Sequence, residues 1–139
     1  ATGTASFELL PPTLDEMTGR RTDVLANGLP YLVAERDGTV LGYAYANLYR
    51  TRPAYRFTVE NSIYVAADTI GQGVGRALMA FAEKEIHRLG GHLVVVETAG
   101  RAQYNPTRRF YSRIGYRESA RLPDFYAPGD DKIIYLKAL

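Results

Sequence analysis

Between Phe57 and Gly91 the hydrophobic period of this chain changes once, from two to 3.6, across three closely spaced glycines. Phe57, Val59, Asn61, Ile63 and Val65 fall on one side of an extended segment, and Thr58, Glu60, Ser62 and Tyr64 on the other. Gly71, Gly73 and Gly75 follow. Val74, Ala77, Leu78, Phe81 and Ala82 then recur at helical offsets, which predicts an amphipathic helix stopping at Gly90-Gly91. A strand feeding a helix through glycines calls for layered α/β packing, with the helix lying back on the sheet.

The flanking sequence fits that plan. Pro11 to Gly28 reads as a helix, with Thr13 and Glu16 as a capping box and Gly28 as the stop. Tyr31–Ala34 and Thr39–Leu48 read as strands joined by an Asp37-Gly38 turn. His92–Glu97 is a continuous apolar strand of the doubly covered kind. Thr107, Phe110, Tyr111 and Ile114 predict a shorter helix closed by Gly115, followed by strands at Tyr116–Arg121 and Lys132–Lys137 around a Pro123–Asp131 loop. With 139 residues and no repeat or linker, residues 1–139 are expected to form one mixed α/β domain.

Composition removes several kinds of chemistry. There is no cysteine, so disulfides, thiolate metal sites and a cysteine nucleophile are out. His87 and His92 are the only histidines, too few for a histidine-built zinc site, and no metal is expected. His87 reads as a favourable polar residue near a helix C-terminus. A net charge of +2 does not by itself imply nucleic acid, although Arg101, Arg108, Arg109, Arg113, Arg117 and Arg121 crowd together. That cluster is either a solvated face or a landing place for a multiply phosphorylated ligand. No apolar run has membrane-spanning length and no signal pattern opens the chain, so a cytoplasmic protein with no membrane partner is expected.

The glycine turn Gly71-Gln72-Gly73-Val74-Gly75-Arg76 is a phosphate-cradle layout, because glycines admit an anion to the backbone and the helix start supplies N–H groups. A Walker loop needs Gly-Lys-Ser/Thr, which is absent, and the dinucleotide pattern fails at Arg76. Two readings remain: the pyrophosphate of coenzyme A, or a plain strand–helix turn that uses glycine for geometry.

A second segment, Tyr104-Asn105-Pro106-Thr107-Arg108-Arg109-Phe110-Tyr111-Ser112-Arg113-Ile114-Gly115-Tyr116, follows the next strand. Together the two resemble the signature segments of the Gcn5-related N-acetyltransferase superfamily. The resemblance implies a central, mostly antiparallel sheet with one parallel, splayed pair of strands. It also implies that acetyl-CoA is held at its pyrophosphate by residues 71–76, and that Tyr111 faces the thioester sulfur. Residues 31–90, through Tyr43-Ala44-Tyr45, Arg52-Pro53-Ala54-Tyr55-Arg56-Phe57-Thr58-Val59-Glu60 and Ile63-Tyr64-Val65, are similar to the phosphinothricin and methionine sulfoximine acetyltransferase branch. There the glutamate at the Glu60 position is a candidate base. From residue 92 onward the chain resembles a different branch. The superfamily's usual Arg or Gln three residues before Gly73 is Ile70 here.

What the resemblance implies is an N-acetyltransferase acting on the amine of a small, amino-acid-like molecule by direct attack in a ternary complex. Glu60 is the expected base and Tyr111 the expected donor to the departing sulfur. Tyr64 and Val65 offer backbone N–H groups to the thioester carbonyl. Gly71, Gln72, Gly73, Val74, Gly75, Arg76, Tyr104 and Arg108 are candidate cofactor contacts, and Arg52, Tyr55 and Arg56 candidate substrate contacts. Each has a plainer alternative: a solvent-facing carboxylate at Glu60, a core tyrosine at Tyr111, surface arginines elsewhere. The competing functions are a non-catalytic CoA-binding module and a protein or peptide N-acetyltransferase. The superfamily's usual first strand and helix have no counterpart ahead of Pro11. A two-fold dimer is therefore expected to cover the hairpin edge around Leu32, Val33, Tyr43 and Tyr45, with Phe7, Leu9 and Leu10 as apolar anchors.

Overall fold

The computed structural model describes residues 10–139, which cluster into two compact units. One comprises Arg21–Val95 with Ala138–Leu139; the other comprises the described residues up to Arg20 with Val96–Lys137. Phe7 and Leu9 lie outside the described residues, and Leu10 is exposed.

The chain enters through helix α1, Leu14–Ala26. Its capping box forms as expected: the Thr13 N–H donates to Glu16 Oε2 at 2.6 Å, and the Glu16 N–H donates to Thr13 Oγ1 at 3.2 Å. The Thr13 bonds hold the Glu16 carboxyl below the ordinary carboxylate range. The helix ends where the Leu29 N–H reaches back to the Val24 carbonyl at 3.1 Å.

In the Arg21–Val95 unit, strands β1 (Tyr31–Arg36), β2 (Thr39–Leu48) and β3 (Thr58–Val65) run antiparallel in that order, and β3 pairs in parallel with the first residues of β4 (Leu93–Ala99). Asp37 and Gly38 turn between β1 and β2 with φ of 52° and 79°, the doubly left-handed turn that matches strand twist. Helix α2, Val74–Arg88, covers one face. Val74 and Leu78 meet Ala44 there, with Leu32, Ala34, Leu41, Ile63 and Val65 packed around them. The buried stripe is rotated from the expected one: Met79 and Ile86 are buried, whereas Phe81 is 65% exposed. Burying a Met or Ile side chain contributes roughly 1.5–3 kcal/mol, so the two longer chains outweigh one phenyl ring left in water.

In the Val96–Lys137 unit the strand order is β4, then β6 (Asp130–Ala138), then β5 (Arg117–Ala127), with β5 and β6 antiparallel. Helix α3 spans Asn105–Arg113. The expected Pro123–Asp131 loop is instead mostly strand, and the turn is reduced to Pro128-Gly129. Register slips between Leu122 and Ala127, and side chains stand in for the lost ladder bonds. The Asp124 N–H donates to Asp131 Oδ1 at 3.1 Å, and Asp124 Oδ1 accepts the Gly129 N–H at 2.6 Å.

Candidate active site

The glycine turn is built before the helix begins. Ala67–Thr69 forms one 3-10 turn, and Thr69 Oγ1 donates to the carbonyls of Leu41 and Ala66 at 3.2 and 2.9 Å, pinning the loop to β2. Gly71 and Gly73 both have φ of 84°, and a Cβ at either would meet nothing within 4 Å. The glycines therefore serve backbone direction and open a space on the ligand side. Helix α2 starts with no side-chain cap and no acid in its first turn. Its first intrahelical bond joins the Ala77 N–H to the Gly73 carbonyl at 3.0 Å, so the N–H groups of Val74, Gly75 and Arg76 stand ahead of it. An uncapped helix start without a carboxylate suits an anion. Gln72 donates Nε2 to the Asp68 carbonyl at 3.1 Å and accepts from Arg36 at 3.5 Å. Arg36 was not expected from the sequence, because the strand pairing that brings it beside Gln72 lies 36 residues away along the chain. Ile70 points outward, 72% exposed.

Glu60, Ser62 and Tyr64 share one face of β3, opposite Asn47, Tyr45 and Tyr43 of β2. This face is half-buried rather than solvent-facing, and tyrosines stack along part of it. Tyr43 and Tyr64 stack at 5.0 Å between centroids, and Tyr31 and Tyr45 at 5.4 Å. On the opposite, α2 face, Asn61 is buried and donates Nδ2 to Met79 Sδ at 3.0 Å. The Ala66 N–H donates to the Leu41 carbonyl at 2.8 Å. Strand alternation then turns the Tyr64 groups toward β2 and the Val65 N–H to the opposite edge.

The three candidate substrate residues occupy a second 3-10 turn, Pro53–Tyr55, ahead of β3. Arg52 precedes it and is exposed; Tyr55 packs near Tyr49 at 6.1 Å. Arg56 donates to the Pro53 carbonyl at 3.0 Å and stacks its guanidinium 4.3 Å above Phe57, so part of its work is to hold the turn.

In the Val96–Lys137 unit, α3 presents Tyr111 on its buried side, among Tyr116 at 5.7 Å and Tyr135 at 5.9 Å. Tyr104 forms the N-cap position of α3. Arg108 donates to the carbonyls of Ala99 and Arg101 at 2.7 and 3.1 Å, and to Asn105 Oδ1. That fork ties α3 to the end of β4.

Burial pushes the Tyr111 phenol up to about 12 from the ordinary 10.0. The folded chain therefore keeps this proton where the unfolded chain releases it. The associated stability is whole below pH 10 and is lost as pH rises toward 12, an amount on the order of 2–3 kcal/mol. Tyr111→Phe should accordingly flatten the alkaline limb. The urea midpoint of the wild type should drop more than that of the variant between pH 9.5 and 11.5; parallel curves would refute the shift.

The candidate site thus combines an uncapped helix start behind two positive-φ glycines with a half-buried carboxylate on the β3 face turned away from α2. Residues 27–118 match the acetyltransferase (GNAT) domain family, and the chain belongs to that family. It is 67% identical over 78 residues to a phosphinothricin N-acetyltransferase of Alcaligenes faecalis, covering 56% of this chain and 40% of that one. It is 36% identical over 97 residues to the L-methionine sulfoximine/L-methionine sulfone acetyltransferase of Salmonella typhimurium, covering 69% and 55%. The chain thus spans about half the length of these curated relatives. Among solved structures, a GNAT superfamily phosphinothricin acetyltransferase from Sinorhizobium meliloti in complex with acetyl-CoA superposes with a TM-score of 0.89 at 30% identity, covering 99% of this chain and 75% of that one. The mixed sheet with a parallel β3–β4 pair, expected from the sequence, is the fold of that family. Among the described residues no helix is long and apolar enough to cross a membrane.

Proposed function

We propose that this chain is an acetyl-CoA-dependent N-acetyltransferase acting on the α-amine of a small amino-acid-like acceptor. The observation that carries the reading is the uncapped α2 start behind two left-handed glycines. Among the described residues nothing lies within 4 Å of a Cβ built at either, which leaves room for a ligand in front of the free N–H groups of the helix start. Gly71, Gln72, Gly73, Val74, Gly75 and Arg76 would hold the pyrophosphate. Acetyl-CoA supplies an activated acyl group and a good leaving thiolate.

Glu60 takes the proton of the incoming ammonium, directly or through a water, from its half-buried place on β3. Val65 directs its N–H away from β2, where it can receive developing negative charge. The resemblance to the acetyltransferase signature gives Tyr111 the role of hydrogen-bond donor to the departing sulfur. A phenol at about 12 is a weaker acid than an ordinary thiol near 8.5, so its share is a hydrogen bond rather than full transfer. Loss of such a bond is worth about tenfold in kcat, which Tyr111→Phe measures. Arg52, Tyr55 and Arg56, on the turn ahead of β3, are the proposed contacts for an acceptor carboxylate.

The names of the two relatives choose the acceptor panel: phosphinothricin, methionine sulfoximine, methionine sulfone and ordinary amino acids. Thiol release from acetyl-CoA is followed with and without each amine. Amine-dependent release supports the reading. Tight CoA binding without amine-dependent release would favour a non-catalytic module, and release only with peptide amines would favour a protein acetyltransferase.

A further inference from the structure

Gly42 of β2 lies opposite Val65 of β3, at the end of the strand that carries Glu60 and Tyr64. A Cβ built on Gly42 would stand 2.6 Å from the Tyr64 carbonyl oxygen, 3.3 Å from Val65 Cα and 3.3 Å from Leu78 Cδ1. Real Cβ contacts essentially never fall under 3.0 Å, and the nearest of these atoms is backbone. Leu78 Cδ1 is the end of a side chain, whereas the Tyr64 carbonyl is backbone; while β2 and β3 stay paired, it gives way by a turn of its peptide plane. That plane also contains the Val65 N–H, held opposite to the carbonyl by the planar trans amide. The side chain missing at residue 42 therefore sets the direction of a donor on the far edge of β3.

We infer that Gly42 is a positioning residue for the Val65 N–H, letting the Tyr64–Val65 peptide take the orientation that polarises the acyl carbonyl. The inference rests on the reading of Val65 given under Proposed function. Gly42 touches neither substrate nor reacting atoms; its effect passes through one peptide plane. Gly91 provides a matched control in the same unit. A Cβ there would meet Ile86 Cγ2 at 2.5 Å and the Ile86 carbonyl at 3.1 Å, but at the far end of α2.

The test compares Gly42→Ala and Gly91→Ala with the wild type at a temperature where all three are folded. Amide resonances of 15N-labelled protein are recorded with CoA and with acetyl-CoA, alongside kcat and CoA affinity. In the wild type the Val65 N–H should shift further with acetyl-CoA than with CoA, and the Tyr64 N–H, turned toward β2, should not. Gly42→Ala should cut that Val65 difference by half or more and lower kcat tenfold or more, with the CoA Kd within threefold. Gly91→Ala should lose thermal stability and keep both. An unchanged Val65 difference in Gly42→Ala overturns the inference, as does an equal loss of kcat in Gly91→Ala. Equal responses of Val65 and Tyr64 in the wild type overturn it even if Gly42→Ala fails to fold. A wild-type protein that binds acetyl-CoA without any Val65 response removes the underlying reading itself.

Discussion

Replacing Glu60 by Gln should lower kcat for amine acetylation by about 10²- to 10⁴-fold while CoA affinity stays within twofold, the loss expected when a general base is removed and binding is not. The substitution is nearly isosteric, and Glu60 sits half-buried on the β3 face with Ser62 and Tyr64, so packing changes little. A pH series separates the base from a carboxylate that only orients the acceptor. Once pH exceeds the acceptor's own amine pKa, which in a free amino acid lies above the peptide-terminal value of about 8 because the neighbouring carboxylate stabilises the ammonium, the amine arrives already neutral. The deficit of the Gln variant should then shrink by about tenfold per pH unit below that point and level off above it. A deficit constant from pH 6.5 to 9.5 would assign Glu60 to orientation, and wild-type turnover in the variant would retire it from the site.

The parts of this chain that could be read from sequence are those decided within a few residues. The Thr13–Glu16 box and the Asp37-Gly38 turn are local hydrogen-bond and backbone choices, and both form. The start of α2 at Val74 was equally legible, because glycines and a change of period mark it together. What stayed hidden depends on partners distant in sequence. Pro123 to Ala127 carries the residues of a loop, yet Asp131 and Gly129 supply bonds that let the strand continue through a bulge. The polar side of β3 was legible as an alternation, but not that Tyr31, Tyr43 and Tyr45 would stack on the same face or that Glu60 would be half-buried. Charge counting put Arg108 with the phosphate; only the position of the Ala99 and Arg101 carbonyls reveals its use as a tie. Gly42 blended into a strand rich in small residues, and no local signal marks a glycine required by a carbonyl on the next strand. Arg36 is hidden for the same reason, its neighbour Gln72 being brought to it by the β1–β2–β3 pairing.

The largest effect on binding is expected at Gly73. Its φ of 84° and ψ of 0° make it the left-handed cap of α2, a conformation in which a β-branched residue is a genuine outlier. Gly73→Val should cost about 1–2 kcal/mol of stability, the penalty for a left-handed L-residue. No protein atom within 4 Å opposes the new Cβ, so the fold survives and the isopropyl group projects into the space ahead of α2. That is where an anion would meet the N–H groups of Val74, Gly75 and Arg76. The Kd for CoA should rise at least 100-fold, a loss of about 2.7 kcal/mol or more in binding. Gly28→Val supplies the comparison: φ there is 70°, the Cβ space is likewise empty, and the residue ends α1 rather than opening α2. Both variants should lose similar thermal stability and keep a wild-type circular dichroism spectrum. Only Gly73→Val should lose CoA in calorimetric titration. Equal affinities in the two variants would mean that the glycine turn answers to chain geometry alone and that the pyrophosphate is held elsewhere.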